Sequence, residues 1–455
     1  MPPPTPPRAQ HAVAVIGGAT AGAEVAARLA RHGCAVAVFE QNPRPYGKIE
    51  DGLPRWHAGL RRKEYESIVG KLSHPGVHLV PLTKIGQDVA LRELTDGWGF
   101  SAVVLACGAW RDRPLPIDGA DAFVGRGLVY QNPFILWFNH AAEKGYTGTR
   151  HVIEDDVIVV GGGLASIDVA KAHTLEMTRA ALARRGIDAP LLELEVGGIP
   201  KCLEKHGLVA SDLGLRGCTI FYRRRIEDMP LMDMPDGADA ARTAKVEHGR
   251  RRILEKAVEK YLFRVEPLAA PDGLVVENDR LVGLRFCRMR IEDGRPVKTD
   301  ERFERRGSYV VSSIGSIPEP IPGLPTKGEL LEFDDLALGR MVAFPTLFGA
   351  GNVVTGKGNI VASRKHAAYV SEAVAEAWLG LGPAGHAGEE HILESAAAAA
   401  RAAADGVVAA LRPFPPPTPE RLGALLARVR ERQKAVGFTG SVPDWIRRNT
   451  PPDLE

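Results

Sequence analysis

Two glycine-rich turns hold the residues whose types and spacing point to chemistry. The first runs Val15-Ile16-Gly17-Gly18-Ala19-Thr20-Ala21-Gly22, between a short apolar run and a stretch of small and apolar residues. Gly17 permits a tight turn, and Gly22 lets a following helix pack closely on the strand before it. The amide groups that open such a helix face outward and offset the negative charge of a pyrophosphate. A second apolar run, residues 35–39, ends in Glu40. A carboxylate there accepts hydrogen bonds from a ribose diol and repels a 2′-phosphate, which suits FAD or NAD and not NADP. Ala19 departs from the pattern, because its methyl stands where the middle glycine of G-x-G-x-x-G lets a pyrophosphate approach.

The second turn is Val159-Val160-Gly161-Gly162-Gly163-Leu164-Ala165-Ser166. Gly161 and Gly163 fill the first two glycine positions, and Ser166 is a small residue at the third. No acid follows at the ribose position. The next strand-like run instead ends in Arg223, Arg224 and Arg225. A guanidinium pairs with phosphate through two parallel hydrogen bonds and stacks on adenine, so this turn is matched to the 2′-phosphate of NADP.

Positioning these turns requires two β-α-β units. Residues 12–16, 35–39 and 157–160 are continuous apolar runs, the pattern of strands buried on both faces of a parallel sheet. Residues 101–106 and 309–314 read as the strands that close the two units. The expected class is α/β, with two Rossmann-like dinucleotide-binding domains, the NADP domain inserted in the FAD domain, and a helical C-terminal appendage. The expected boundaries are a disordered proline-rich tail over 1–10, a first FAD part over 11–150 and an NADP domain over 151–315. A second FAD part over 316–382 and a helical extension over 383–455 complete the chain. Within the extension, 395–404 is helix-prone with little to bury, and 413–419 is a proline linker. Residues 420–435 form an amphipathic helix with Leu422, Leu425, Leu426 and Val429 on one face. It reads as an addition outside the redox core.

Composition narrows the classes. The formal charge of +2 over 455 residues lacks the basic excess of a nucleic-acid binder. The five cysteines, Cys34, Cys107, Cys202, Cys218 and Cys287, form no C-x-x-C pair and no cluster for iron and sulfur. Scattered thiols suit a reducing cytoplasm. No run of about 18 apolar residues predicts a membrane span.

Five stretches together resemble adrenodoxin reductase and its bacterial ferredoxin–NADP reductase relatives, and also the glutamate synthase small subunit. They are VIGGATAG with FEQNPRPYGKIEDGLPRWH, then VVLACGAWRDRPLPIDG, VVGGGLASIDVAK, YRRRIEDMP and FGAGNVVTGKGNIVASRKHA. The resemblance spans residues 11–376. It implies that Gly17, Ala19, Thr20, Gly22 and Glu40 hold the adenosine-diphosphate half of FAD. It implies Gly47 and Lys48 beside the flavin, Gly108 near the pyrophosphate or ribose, and Gly351 and Asn352 at the terminal flavin segment. Asn352 stands where the family has an acidic residue or tryptophan. Gly358, Asn359 and Ile360 are implied to present amides to the flavin N1–C2=O edge. Gly161, Gly163, Leu164, Ala165 and Ser166 are implied at the NADPH pyrophosphate, and Arg223 and Arg224 at its 2′-phosphate. His57, in the proline–histidine segment, is the one catalytic candidate, as a tuner of the flavin or a proton relay; His366 has a structural role instead. Residues 180–215 are an insertion relative to the family.

Hydride transfer between two cofactors needs alignment and electrostatics, and no protein acid, base or nucleophile. The expected activity is NADPH-driven reduction of FAD, then single-electron delivery to a ferredoxin or flavodoxin. The alternative is an NADPH-oxidising electron-input subunit of a larger complex. A flavin monooxygenase ranks below both, since Phe123-Val124-Gly125 is followed by no histidine at the F-x-G-x-x-x-H position. The runs Arg250-Arg251-Arg252 and Arg305-Arg306 are candidate docking points for an acidic partner.

Overall fold

The computed structural model describes residues 11–235, 237–335, 339–341, 343–355, 376, 378–381, 386 and 391–451. The first unit begins with β1 (Ala12–Ile16), α1 (Thr20–Arg31) and β2 (Ala35–Phe39). It continues through α2 (Lys48–Asp51), α3 (Ala58–Leu72), β3 (Val77–Val80) and β4 (Ala102–Leu105). Strand β1 pairs in parallel with β2 on one side (Val15↔Val38) and with β4 on the other (Val15↔Val104). Strands β1 and β2 are buried along their whole length, as their continuous apolar sequences require.

A short strand β5 (Arg111–Asp112) leads out of this unit to β6 (Leu128–Tyr130) and α4 (Gln131–His140). Next come β7 (Val157–Gly161), α5 (Leu164–Ala183), α6 (Leu191–Gly197), α7 (Ile199–Lys205) and β8 (Cys218–Phe221). Helix α8 (Ala240–Tyr261) and β9 (Arg264–Glu266) follow. A three-stranded antiparallel sheet comprises β10 (Ala269–Glu277), β11 (Arg280–Glu292) and β12 (Arg295–Arg306). Strand β13 (Val310–Ser313) then returns to the centre of the second parallel sheet, whose order is β6-β13-β7-β8-β9. The chain re-enters the first unit through β14 (Ser316–Ile317), which pairs antiparallel with β5.

Two minor strands, β15 (Thr326–Lys327) and β16 (Leu330–Leu331), precede β17 (Arg340–Met341) and β18 (Phe344–Gly349). Strand β18 lies parallel to β4 and completes a sheet of order β17-β18-β4-β1-β2-β3. Helix α9 (Asn352–Thr355) follows it. From β1 the chain runs outward through β2 and β3 and returns to the other side of β1 at β4; from β7 it runs through β8 and β9 and returns to the other side of β7 at β13. The crevices above β1/β4 and β7/β13 are therefore topological switch points, where such sheets take ligands. The two-domain α/β architecture expected from the glycine turns is the one observed.

Two regional expectations differ from the structure. Leu128–Tyr130 falls before the expected boundary at residue 150, yet β6 pairs with β13 of the second sheet (Val310↔Leu128). Strand β5 of the β5/β14 ribbon precedes β6 in the chain, and the apolar run of β6 finds its neighbour in β13. The C-terminal extension is not peripheral. It forms α10 (His391–Leu411), α11 (Pro419–Ala435) and α12 (Val442–Asn449). Ala400, Ala404 and Val407 of α10 are fully buried in one cluster with Ala23, Ala26 and Leu29 of α1. Small alanine side chains let two helices approach closely, so a stretch with little bulk still buries a face. The Arg28 guanidinium also grips Asp405 through two bonds of 2.8 and 3.1 Å. No helix among the described residues is long and apolar enough to cross a membrane.

Candidate functional site

The first glycine turn builds a pocket at the switch point of the first sheet. Gly17, at φ +100°, adopts a conformation that L side chains rarely take. A Cβ on it would lie 2.7 Å from the Ala106 carbonyl, and one on Gly22 would lie 1.9 Å from the Gly17 carbonyl. Both glycines thus serve the turn and the packing expected of them. No side chain caps α1, whose N-cap is Ala19. Its first amides remain available to an anion. Ala19 itself lines the pocket, together with Gly47, Gly108 and Trp110. A Cβ on Gly47 would come within 2.8 Å of the Ala19 methyl. Gly47 therefore yields the space that Ala19 takes, which answers the departure at the middle glycine position.

Glu40 is buried at the pocket wall. Its two oxygens accept from the Gly18 and Asn42 amides, each at 2.8 Å. Burial outweighs these bonds and pushes the carboxyl up to about 7. Each carboxylate oxygen has a second lone pair, so the group keeps acceptor capacity for a diol. Thr20 opens α1, so its amide is among those at the helix start. Gly351, at φ +74°, would place a Cβ 3.0 Å from Ala21, so the return segment meets the start of α1. Asn352 opens α9 directly after it. Gly358, Asn359, Ile360 and His366 lie outside the described residues.

Lys48 stands at the junction of the two units. Its Nζ donates to Asn132 Oδ1 at 3.1 Å and Ser316 Oγ at 3.0 Å, and lies 5.6 Å from the Trp110 ring centroid. Burial lowers its ammonium to about 8. Burial likewise raises the nearby Asp112 carboxyl to about 6, although Asn132 donates to it. His57 is fully buried elsewhere. Its ring packs 4.6 Å from Trp378 and 4.7 Å from His386, and it does not line the pocket of Gly17 and Glu40.

The second glycine turn has the same grammar. Gly163 is the N-cap of α5, and no side chain caps that helix either. A Cβ on Gly162 would lie 2.1 Å from the Tyr222 ring, so this glycine lets Tyr222 cover the turn. The Ser166 hydroxyl turns away and donates to the Ser313 carbonyl at 3.0 Å, tying α5 to β13. Leu164 is buried in the core, and Ala165 is half-buried. The Ser166 amide is also engaged, by the Gly163 carbonyl at 2.9 Å, which leaves Leu164 and Ala165, and these can serve an anion through backbone amides only.

The arginines after β8 are not equivalent. Arg224 donates to the Gly294 carbonyl at 2.9 Å and lies 3.6 Å from Asp228. Arg225 pairs with Asp228 and Glu247. Arg223 is exposed, and among the described residues no hydrogen bond or ion pair engages its guanidinium. Arg250, one of the candidate docking arginines, is buried. Its Nε bonds the Met232 carbonyl at 3.0 Å and its Nη1 the Glu227 carbonyl at 2.9 Å, bracing the loop beyond the arginines. Arg251, Arg305 and Arg306 pair with Glu227, Asp156 and Glu277. Arg250, Arg251, Arg305 and Arg306 thus all make intramolecular contacts.

Sequence reading missed Gln41, Asn42, Thr83, Lys84, Trp110 and Ile321 at the first pocket. The sequence Val77-His78-Leu79-Val80 followed by Pro81 was the available signal for Thr83 and Lys84, as a short strand ending in a turn. A separate cavity of about 450 Å³ lies behind α5, lined by Arg55, Trp137, Phe138, Glu176 and Arg179 among others. It touches neither glycine turn, whose geometry carries the chemistry. All five cysteines are free thiols, and burial pushes the one in the first pocket, Cys107, up to about 12.

Residues 11–195 match the pyridine nucleotide-disulphide oxidoreductase family. Among curated proteins, the chain is 27% identical over 330 residues to the NADPH-Fe(3+) oxidoreductase subunit beta of Geobacter sulfurreducens, covering 70% of this chain and 36% of that protein. It is 31% identical over 163 residues to the glutamate synthase [NADPH] small chain of Bacillus subtilis, covering 34% of this chain and 31% of that one. The chain thus spans about a third of the length of these relatives. Among solved structures, it superposes on Mycobacterium tuberculosis FprA in complex with NADPH with a TM-score of 0.64 at 19% identity, over 93% of this chain and 91% of that one. That likeness shows the two-domain fold.

Proposed function

On this pyridine-nucleotide oxidoreductase framework, we propose that the chain is an FAD-dependent NADPH oxidoreductase that feeds single electrons to a ferredoxin or flavodoxin. The contrast between the two ribose sides carries the reading. Glu40, buried and capped by amides, lies at one switch point, and Arg223, exposed and unengaged among the described residues, follows the strand beside the other. The first arrangement suits a diol and the second a phosphate.

The residues present fit both dinucleotides. Each helix start is uncapped by side chains, and each turn carries glycines whose Cβ would strike backbone or a ring. FAD would sit on the α1 amides with its ribose at Glu40, and NADPH on the α5 amides with its 2′-phosphate at Arg223. Bound there, the two dinucleotides would supply the hydride-transfer and electron-passing chemistry. The chain's own groups bind and orient. Lys48, with Asn132 and Ser316, holds a cation at the junction, where it favours negative charge on a nearby ring. His57, buried against Trp378 and His386, stays in this reading the candidate that tunes the flavin or relays a proton.

Anaerobic mixing of the NADPH-reduced protein with ferredoxins and flavodoxins tests the acceptor. Rapid reoxidation by such a carrier is expected; flavin reduction with no carrier turnover would sink that part of the reading. The names of two relatives, a subunit and a small chain, support a second reading as the electron-input subunit of a larger complex. Size-exclusion of the native protein separates them, since a complex-bound subunit elutes with its partner.

A further inference from the structure

The last two helices grip the walls of the first pocket. Its outer wall consists of two loops, Glu40–Asn42 after β2 and Thr83–Ile85 after β3. Strand pairing ends at Phe39↔Val80, and beyond it the loops meet through the Thr83 amide and the Glu40 carbonyl at 2.8 Å. Leu82, at the start of the second loop, sits at φ +50°. A bulky residue persists in that left-handed conformation only where its surroundings hold it.

Helix α11 supplies the hold. Arg432 Nε donates to Thr83 Oγ1 at 3.0 Å, and its Nη2 donates to the Leu82 carbonyl at 3.3 Å. The adjacent Gln433 reaches the strand before that loop, its Nε2 donating to the Leu79 carbonyl at 2.7 Å. Leu425 and Val429 seat the helix in the cluster that contains Phe39 and Val80. Helix α12 takes the other loop: Trp445 Nε1 donates to the Pro43 carbonyl at 2.6 Å, beside Asn42. Trp445 is buried and packs edge-on against Phe438 at 5.6 Å, in the turn that joins the two helices. One helical unit therefore pins both loops from behind.

We propose that α11 and α12 form a clamp that retains the adenosine half of FAD, by fixing the spacing of the two loops between which it binds. This rests on the assignment of FAD to the first pocket. Free loops lose conformational freedom when a ligand orders them, and that loss weakens binding; loops already braced bind without it. Arg432, Gln433 and Trp445 are positioning residues, since none of them lines the pocket and each acts through loop or strand groups, Thr83 among them.

The test compares the full chain with Arg432→Met plus Trp445→Phe, which keep the aliphatic stem and the ring while removing the donors. Asp405→Ala, which loosens α10 on α1 without touching either loop, is the control. The FAD Kd comes from quenching of flavin fluorescence by apoprotein, AMP competition reports the adenosine subsite, and the NADP⁺ Kd reports the second site. The clamp predicts that the double variant weakens FAD and AMP roughly 10-fold or more, while NADP⁺ binding and the Asp405→Ala variant stay at wild-type levels. A double variant within about threefold of wild type for FAD, or an equal loss in Asp405→Ala, overturns the clamp. A wild-type chain that takes up no FAD overturns the cofactor assignment, and the clamp with it.

Discussion

Arg223 differs from its two neighbours in one respect that matters for specificity: its charge is not spent on the protein. Arg224 and Arg225 are held by Gly294, Asp228 and Glu247. Arg223→Ala should raise the KM for NADPH by about 10- to 100-fold through the lost phosphate pair and leave NADH little changed; Arg224→Ala should do less. Steady-state kinetics with both nucleotides checks this. Glycine carries the opposite kind of constraint, one of space. Gly22→Ala puts a methyl 1.9 Å from the Gly17 carbonyl, so the turn must open, at a cost on the order of 2–4 kcal/mol. The variant should purify without bound flavin and melt earlier. Glu40 adds a pH signature. Its ionised form is disfavoured in the fold, so the folded chain keeps a proton that the unfolded chain releases between pH 4.5 and about 7. Its contribution is full below that window and is lost as pH rises through it. His173, lowered to about 4 by burial, acts oppositely in part of the range. The difference in apoprotein stability between wild type and Glu40→Gln isolates the carboxyl, and should fall with rising pH across the window. A flat difference contradicts the burial argument.

The elements show how much was legible in advance and where legibility stopped. Parallel strands announce themselves as short continuous apolar runs, so β1, β2, β4, β7 and β13 stand close to where 12–16, 35–39, 101–106, 157–160 and 309–314 placed them. The glycine turns were legible because sterics leave little else possible at Gly17 and Gly22. Three features were not. In the sheet β10-β11-β12, β12 is mostly exposed and charged and bulges break the register of the other two strands, so the alternation that marks a half-buried strand is weak. The role of α10 was hidden because alanine reads as propensity, not as a buried face. Its packing makes a prediction: Ala400→Leu inserts bulk into a closed helix pair and should destabilise by about 1–3 kcal/mol in chemical denaturation. The distinction among Arg223, Arg224 and Arg225 depends on Asp228, Glu247 and Gly294, and only the fold reveals which side chain each of these reaches.

At the scale of the molecule, the proposed relay asks the described residues to bind and orient two cofactors. Two switch-point crevices face a junction crossed by the β5/β14 ribbon, and Lys48 of the first unit bonds Asn132 and Ser316 across it. The helical extension closes the back of the first unit and does not add a third centre. The central claim is that NADPH, selected by Arg223, reduces FAD held at the first switch point. Anaerobic rapid mixing of the FAD-loaded protein with NADPH or NADH, followed at the flavin absorbance near 450 nm, tests it most directly. The account predicts fast bleaching with NADPH, much slower bleaching with NADH, and loss of that preference in Arg223→Ala. Equal rates for the two nucleotides in wild type, or no bleaching by NADPH, would contradict it.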